Sequence, residues 1–453
     1  MQHTGSISPQ AVPPSSWRTR IPFFYGWVVV ISLFLALIIS YGVYYTFTVF
    51  FLAMLEQFGW SRAATSGVFS LFVVAVSAGG AVAGILIDRF GPSRVVPAGG
   101  VLLAVGLAAT SQLTELWQFY LYFGVICGLG VAWCGWVPCV ILVNRWFAAG
   151  RGTAMGIASA GIGLGTVIMV PFTQYIISSA GWRSAYLVLA VLSLICIAPQ
   201  SAWLMMGRPE ELGLKPDGVA GENAPIGGGA KPARQMVVVD RQWISRAWSI
   251  STAVSTPRFW LMGGNLLLGV LTSQMLWVHQ AAYLVDGGYD KMLAASIVGL
   301  AGLVSMPAKI MWGWISDRLG REWAFTMGVV VMLAAIVMLV LTRTFPSVWL
   351  VFGFCVAFAV GYAITAPISP MAAADIFGGP NFGSIFGFMN LGSGFGAALG
   401  AWFAGYVFDV TGSYLVAFAL AAASCSLAAV SIWVAAPRRV RRVPDRGTSS
   451  GNR

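Results

Sequence analysis

The chain has 453 residues, of which 58% are hydrophobic and only 9% are charged, and its mean hydropathy is +0.81. Soluble domains carry about 25% charged residues, so this composition excludes an ordinary soluble enzyme and a disordered chain. The net charge of +11 indicates basic loops at a membrane rather than nucleic-acid binding, because the cytoplasmic loops of membrane proteins collect Lys and Arg.

The first segment, residues 1–20, is polar and rich in Ser and Pro, and we expect it to form a cytoplasmic tail rather than a signal peptide. It is followed by apolar runs that reach the roughly 20 residues needed to cross a bilayer. Six runs lie in a first half, 21–206, and six in a second half, 259–437. Their approximate bounds are 24–52, 62–87, 94–113, 118–143, 152–179, 184–206, 259–284, 292–315, 323–342, 347–372, 382–408 and 413–436.

These runs are too long for a membrane β-barrel and lack its alternating pattern. We therefore predict an all-α polytopic membrane protein with twelve transmembrane helices in two six-helix halves. The linker between the halves, 207–258, is rich in Gly, Pro and charge, as a flexible connector would be. We expect its segment 241–260 to form an amphipathic surface helix. The last segment, 438–453, is a basic tail.

The distribution of basic residues predicts the orientation. If both ends are cytoplasmic, 21 of the 26 Lys and Arg residues lie on the cytoplasmic side and four on the opposite side. An asymmetry of this kind follows the positive-inside rule. We expect both termini in the cytoplasm and the chain in a plasma membrane, such as the inner membrane of a bacterium.

Neither a metal nor a cofactor is indicated. The six cysteines fall inside apolar runs, and none has the spacing or the partners of a zinc site. The Gly-rich stretch 156–171 contains G-x-G, but no strand precedes it and no P-loop lysine follows. We expect its small residues to let helices pack closely instead.

Two turns of similar sequence, GILIDRFGPSR and GWISDRLGREW, lie 229 residues apart, and each follows the second span of a half. Two like halves indicate parallel repeats about an axis along the membrane normal. Asp and Arg at helix ends interact with helix dipoles, and we expect these contacts to break and re-form as the halves rock. The residues concerned are Gly84, Asp88, Arg89, Gly91 and Arg94 in the first turn and Gly313, Asp317, Arg318, Gly320 and Arg321 in the second.

With these repeated turns, the six-plus-six spans and the central linker, residues 20–437 resemble the major facilitator superfamily. The phrases FYGWVVV, EQFGWSRA, RGTAMGIA, GWRSAY and RPEELGLKPDG are similar to those of its monocarboxylate transporter and oxalate–formate antiporter branch. The resemblance implies alternating access around a central cavity at the membrane midplane.

One basic residue, Lys309, lies inside a predicted span. It precedes Asp317 by eight residues, which is about 12 Å along a helix. A charge at that depth costs at least about 2.5 to 3.5 kcal/mol, and such residues usually face a cavity; the alternative is a lysine that snorkels to the interface. Relatives in the monocarboxylate branch carry a basic residue four positions before the Gly of the turn, so the resemblance implies that Lys309 binds the substrate carboxylate.

The sequence departs from the branch in three places. Ser305 replaces an acid that animal relatives carry one turn before the basic residue, and Tyr45 replaces their lysine in the first span. The eleventh span lacks the second basic residue of oxalate–formate antiporters and offers only Asn390 and Ser393. One buried cation matches one carboxylate, which favours a monoanion, because a second carboxylate would be desolvated without a partner.

Two residues are candidates for coupling transport to protons. Burial disfavours the charged form of a lysine and a bound carboxylate restores it, so binding of the anion to Lys309 would take up a proton. His279, near the outer end of the seventh span, can titrate near neutral pH; the alternative is a structural histidine that bonds a neighbouring helix.

Further polar and aromatic side chains at membrane depth are candidates to line the cavity, although packing in the core or against lipid is the alternative for each. Trp133 and Trp136 are three residues apart and are expected to share a helix face. The other candidates are Tyr41 and Tyr45 in the first span and Asn265, Gln274 and Tyr283 in the seventh.

We therefore predict a secondary active transporter, not an enzyme, that moves a small organic monocarboxylate, with protons as a possible coupling ion. An anion antiporter and an exporter of drugs or hydrophobic compounds remain as alternatives, although such exporters usually use a buried carboxylate. A sensor would need a signalling domain, and the linker shows no recognisable one.

Overall fold

The computed structural model describes residues 21–60, 62–148, 150–217 and 237–442, and this part of the chain is mostly helical. The predicted tail 1–20, most of the basic tail 438–453 and linker residues 218–236 lie outside the described residues. Among the described residues, eleven helical stretches are long and apolar enough to cross a membrane.

The fifth of these stretches, Arg151–Leu204, contains two spans. Its 54 residues would extend roughly 80 Å as one straight helix, whereas the hydrocarbon core of a bilayer is about 30 Å thick. Gly181 interrupts it with φ 82° and ψ 162°, a conformation that side chains with a Cβ avoid. The stretch is therefore two helices, 151–180 and 182–204, which gives the twelve spans of the predicted fold.

The helices of the first half are numbered α1 to α6 and those of the second half α7 to α12. The first six are Gly26–Phe58, Arg62–Phe90, Pro92–Thr110, Leu116–Trp146, 151–180 and 182–204. The second six are Pro257–Asp286, Lys291–Leu319, Arg321–Leu341, Val348–Phe377, Phe382–Thr411 and Leu415–Ala435. Large apolar side chains such as Ile195 and Val330 are about 60% exposed on the outside of the bundle, as a surface that faces lipid would be.

Two spans are irregular in ways that the hydropathy pattern does not reveal. In α4 the segment Tyr120–Cys127 is a π-helix, and Gly135 (φ −100°, ψ −121°) separates Gly128–Cys134 from Trp136–Trp146. In α10 the helix is interrupted between Val348–Tyr362 and Thr365–Phe377. This last span continues five residues beyond its predicted end at 372, which brings Asp375 into the helix.

The linker is partly ordered against the bundle, on the membrane side that we call the linker side. The prediction of one surface helix over 241–260 is wrong: two short helices, Arg241–Ser245 and Ile250–Val254, precede α7. Trp243 donates a hydrogen bond to the Ile376 carbonyl (2.8 Å), so its indole holds the linker to α10 instead of facing lipid. Two short strands, Val237–Val238 (β1) and Arg441–Arg442 (β2), pair antiparallel and join the linker to the end of the chain.

The segment just after α6 is also fixed in place. Asp217 forms an isolated bridge with Phe147 in the turn between α4 and α5. Burial raises the pKa of the Asp217 carboxyl, although a hydrogen bond from the Gly150 backbone opposes this. The phrase RPEELGLKPDG therefore serves to anchor the first part of the linker to the first half.

The two halves meet through small residues. At Gly84 of α2 an added Cβ would overlap the backbone of Gly383 in α11, and at Gly313 of α8 it would overlap the backbone of Gly152 in α5. These helices are in backbone contact. Gly156, in the Gly-rich stretch 156–171, likewise lies against the backbone of α8, as expected for small residues that let helices pack closely. The close contacts between the halves that the structure describes extend from the linker side to Gly163 and Gly394 near the middle. The bundle is thus closed on the linker side.

Candidate substrate site at the centre of the bundle

Lys309 lies deep in the interface between the two halves. It sits on α8, is only 2% exposed, and its Nζ approaches the Ser159 carbonyl oxygen of α5 at 3.5 Å. The backbone of Lys309 also packs on α5, since a Cβ added at Gly156 of α5 would lie 2.5 Å from the Lys309 carbonyl oxygen. The snorkelling alternative is excluded for this conformation, because the side chain is enclosed by the bundle.

Among the described residues, the ammonium group has an aromatic neighbour and no acidic one. Its Nζ lies 5.5 Å from the ring centroid of Tyr362 on α10, within the range of a cation–π interaction. No carboxylate of the described residues forms an ion pair with it. A buried charge is stable only when paired or hydrogen-bonded, so the site is chemically suited to an incoming anion.

A group of tyrosines faces this lysine from α1. Tyr41 stacks on Tyr44 with ring centroids 5.6 Å apart, and Tyr44 contacts Tyr45 edge-on at 4.9 Å. All three lie near Tyr362, whose ring is also the neighbour of the Lys309 ammonium. The sequence selected Tyr41 and Tyr45, and the structure places Tyr44 in one cluster with them.

The break in α4 lies beside this cluster. A Cβ added at Gly135 would contact the Tyr41 ring at 3.4 Å. Because Gly135 lies between Trp133 and Trp136 and departs from helical geometry, the expectation that these tryptophans share one helix face is wrong. The Cβ of Trp133 lies against Gly99 of α3, and its Nε1 is buried without a hydrogen-bond partner in the described structure, so no described contact brings it to Lys309.

The seventh span contributes Trp277, a residue that the sequence analysis did not select. Its ring lies 5.2 Å from Tyr362 and 5.6 Å from Phe358. Gln274 is half-buried and precedes Trp277 by three residues, which places it on the same helix face. Gln274 therefore points toward the side of α7 that packs on Tyr362.

Other predicted cavity residues lie elsewhere. Asn265 is buried between α7 and α12, where its Nδ2 donates to the Ala428 carbonyl (2.9 Å). Tyr283 packs on Phe418 of α12 at 5.0 Å and under the Arg343 guanidinium. The structure brings neither residue to Lys309, because both occupy the face of α7 that contacts α12.

His279 is held by two neighbours. Its Nε2 lies 2.9 Å from the Ala401 carbonyl oxygen and its Nδ1 lies 3.3 Å from the Tyr414 hydroxyl. A neutral ring with its proton on Nε2 satisfies both contacts, since Nδ1 then accepts from the hydroxyl. This environment favours the structural alternative.

The two candidates of the eleventh span lie at the other interface between the halves. Asn390 is 9% exposed, and its Nδ2 would lie 3.8 Å from a Cβ added at Gly80 of α2. Ser393 is half-buried one turn further along α11. No described contact joins either residue to Lys309, so they stay candidates for the far wall of a cavity.

The repeated turns act across the interface between the halves. The Asp88 carboxylate accepts hydrogen bonds from the backbone and hydroxyl of Ser384 (2.7 Å each), the third residue of α11. Asp317 accepts from the backbone amides of Gly152 (2.9 Å) and Thr153 (2.7 Å), the second and third residues of α5. Each half thus caps a helix N-terminus of the other half, where backbone amides and the helix dipole favour a negative charge.

The ion pairs around the two caps differ. Asp88 pairs with Arg145 (2.9 Å), whereas Arg321 bridges Asp317 (2.8 Å) and Asp375 (3.0 Å). Arg151 also pairs with Asp375 (3.0 Å), which is fully buried. The predicted end of this span at 372 left Asp375 outside the helix, which is wrong, because α10 extends to Phe377 and buries the carboxylate. Two arginines at the linker side match its charge.

The remaining motif residues fall into two groups. Gly91 (φ 81°) and Gly320 (φ 96°) provide the positive φ of the two tight turns, a conformation that favours glycine. The other three, Arg89, Arg94 and Arg318, are exposed on the linker side, and Arg318 stacks on Trp314 at 3.6 Å.

Besides Trp277, Tyr362 and Ser159 are functional candidates that sequence reasoning missed. Tyr362 lies in the apolar run FAVGYAIT, where a hydroxyl at membrane depth was a usable signal. Ser159 contributes only its carbonyl oxygen, which no side-chain pattern encodes.

Comparison with known proteins agrees with this architecture. The family profile described as Major Facilitator Superfamily matches residues 33–377 and 288–452. Two solved structures of that superfamily have similar folds at 13% sequence identity. The proton:xylose symporter XylE bound to 6-bromo-6-deoxy-D-glucose gives a TM-score of 0.67, covering 90% of this chain and 95% of that one. FucP in the outward conformation gives 0.66, covering 91% and 99%.

Curated relatives match over most of the chain. Monocarboxylate transporter 13 of Bos taurus is 27% identical over 411 residues, which are 88% of this chain and 86% of the relative. Monocarboxylate transporter 2 of Homo sapiens is 24% identical over 416 residues, 90% and 84% respectively. The chain is thus a multi-pass membrane transporter related to monocarboxylate transporters, not an enzyme, and it belongs to the major facilitator superfamily.

Proposed function

We propose that the protein carries a small organic monocarboxylate across the plasma membrane by alternating access, with Lys309 as the counter-ion of the carboxylate. The observation that carries the proposal is the setting of Lys309: it is buried between the halves without a carboxylate partner among the described residues. The names of the curated relatives support the same substrate class.

The charge of the site supports a monoanion. The other buried guanidiniums, Arg151 and Arg321, already pair with Asp375. A second carboxylate on the substrate would have no cation to meet in the described core, and its desolvation would be uncompensated. The tyrosines of α1, together with Tyr362 and Trp277, supply apolar faces and hydroxyl groups for the rest of the molecule.

Proton coupling follows from the same setting. A lysine enclosed without an acid favours its neutral form, and a bound carboxylate favours the charged form. When the anion binds, Lys309 would take up one proton, so anion and proton would cross the membrane together. Lys309 is the better candidate for this role, because both ring nitrogens of His279 already have partners.

The orientation that we propose places the linker side in the cytoplasm. The Lys and Arg asymmetry of the loops supports this. With that orientation the described conformation is closed toward the cytoplasm. A bacterial inner membrane remains part of the proposal.

Uptake by purified protein in liposomes tests the proposal. Wild type, Lys309→Ala and Lys309→Arg are compared over a panel of labelled monocarboxylates, with Lys215→Ala, an exposed linker lysine, as the matched control. We expect Lys309→Ala to lose at least about tenfold in uptake, as removal of a charge-assisted contact would, and Lys215→Ala to resemble wild type. Undiminished uptake by Lys309→Ala would refute the counter-ion role.

Competition experiments separate the alternatives. An exporter of hydrophobic cations would be inhibited by organic cations and not by carboxylates. An antiporter would show uptake only when the liposomes are preloaded with a second anion. A proton symporter would show faster uptake when the outside is acidified, and uptake indifferent to the proton gradient would contradict the coupling proposal.

A further inference from the structure

A basic recess lies on the linker side, where the linker meets the end of the second half. It has a volume of about 690 Å³ and is lined by Val239, Asp240, Arg241, Gln242, Arg258 and Arg439. Backbone hydrogen bonds from Val239 (3.0 Å) and Asp240 (3.4 Å) to the Val440 carbonyl oxygen build its floor. We refer to it as the linker recess.

The three arginines of the linker recess are only partly balanced by negative charge, since Asp240 attracts Arg258 without forming an ion pair. None of them forms an ion pair with a carboxylate in the described part of the chain. The one acid present, Asp240, uses its Oδ1 to cap the helix Arg241–Ser245 through the Trp243 amide (2.8 Å). Three guanidiniums against one carboxylate leave an excess of positive charge in a concave site.

Arg258 is the fixed member of this group. Its guanidinium stacks on the Trp243 ring at 4.2 Å, and the hydrogen bond from Trp243 to the Ile376 carbonyl holds that ring in place. The Nη1 of Arg258 is buried and has no hydrogen-bond partner in the described structure. A buried guanidinium nitrogen without an acceptor is costly, which points to an acceptor that binds from outside.

The position of the linker recess selects the acceptor. Arg258 is the second residue of α7, and Arg439 lies four residues beyond the last residue of α12, so both are near the membrane surface. The exposed ring of Trp260, one half-turn from Arg258, is typical of the interface between lipid and water. Guanidinium groups match phosphate oxygens in geometry and charge.

We propose that the linker recess binds the phosphate group of an anionic membrane lipid in the leaflet on the linker side. The lipid would then join the linker, the start of α7 and the end of the chain. Its phosphate would accept from the Arg258 nitrogen that has no acceptor in the described structure and would add to Asp240 in offsetting the repulsion between Arg258 and Arg439.

Lipid binding by the purified full-length chain tests the proposal. Native mass spectrometry measures retention of phosphatidylglycerol against phosphatidylcholine for wild type, for Arg258→Gln/Arg439→Gln and for Arg246→Gln. The control Arg246 is an exposed linker arginine over Trp248 and outside the linker recess. We expect wild type and Arg246→Gln to prefer phosphatidylglycerol, and the double variant to lose at least about tenfold of that preference, as loss of charge-assisted contacts predicts.

An unchanged preference in the double variant would overturn the proposal. So would an equal loss in Arg246→Gln, because the effect would then be a general one of surface charge. A third arm adds inorganic phosphate in excess. If phosphate displaces the lipid and itself binds to wild type but not to the double variant, the linker recess takes a soluble phosphate group and the lipid assignment is wrong.

Discussion

The contact between α5 and α8 gives the sharpest prediction about the transport cycle. A Cβ added at Gly152 would lie 2.5 Å from the Gly313 carbonyl oxygen and 2.8 Å from Asp317 Oδ1. Ordinary van der Waals contacts of a Cβ atom begin near 3.4 Å, so α5 and α8 must move apart by about 0.9 Å to accommodate the Cβ beside the Gly313 oxygen. Overpacking of this size costs about 1–3 kcal/mol, which corresponds to about a 5- to 150-fold change in an equilibrium.

Gly152→Ala is therefore expected to shift the population away from the conformation closed on the linker side by about 5- to 150-fold. Spin labels on Gln112→Cys and Thr344→Cys, exposed positions on the opposite side in different halves, report the distance between the halves there. When the linker side opens, rocking of the halves brings these labels closer.

The matched control is Gly299→Ala on α8, where an added Cβ meets no atom within 4 Å. It carries the same change in helix propensity without the overlap. We expect its distance distribution to equal that of wild type, and the Gly152→Ala distribution to gain a shorter component. Equal distributions for the two variants would refute the claim that backbone contact at Gly152 holds the linker side closed.

Three further predictions follow from the site. Asp317→Asn removes the negative charge that caps α5, at a cost of about 1 kcal/mol to the conformation closed on the linker side. The distance distribution between the same two spin labels should therefore gain a shorter component, and an unchanged distribution would contradict this. His279→Gln should keep the pH dependence of uptake, because both ring nitrogens already have partners; loss of that dependence would make His279 the proton carrier. Tyr362→Leu should weaken carboxylate uptake several-fold, because it removes the aromatic ring beside the Lys309 ammonium. Tyr362→Phe keeps the ring and should weaken uptake less. An equal loss in both variants would assign the effect to the hydroxyl instead of the ring.

The fold was predictable because a membrane imposes a strong pattern on the sequence. Apolar runs of spanning length and the two turns with Asp88 and Asp317 were enough to give twelve spans in two halves. The interruption at Gly181 falls between the predicted spans 152–179 and 184–206, whereas the one at Gly135 was not visible in that pattern. Gly135 lies within an apolar stretch, and hydropathy does not distinguish a glycine that packs closely from one that breaks a helix.

The candidate site was predictable where a residue type is costly in a membrane. Lys309 stood out because its burial requires a reason. Asn265 and Tyr283 were indistinguishable from cavity residues, because the sequence does not say which face of α7 meets α12. Tyr362 was overlooked for the same reason: its role depends on the distance from its ring to Lys309, which only the packing of α8 on α10 determines.

The glycine contacts between the halves have a kinetic consequence. Separating α2 from α11, or α5 from α8, uncovers backbone at Gly84, Gly152 and Gly313 and few bulky side chains. Little apolar area is then exposed at the moment of opening, and the Asp88 and Asp317 caps can be exchanged for water. The barrier between the two orientations is therefore set by a few charged contacts, namely these amide–carboxylate bonds and the buried ion pair between Arg151 of the first half and Asp375 of the second. We expect turnover to be fast for a carrier of this size. We also expect the turnover rate to change strongly when a side chain is added at the α2–α11 or the α5–α8 contact.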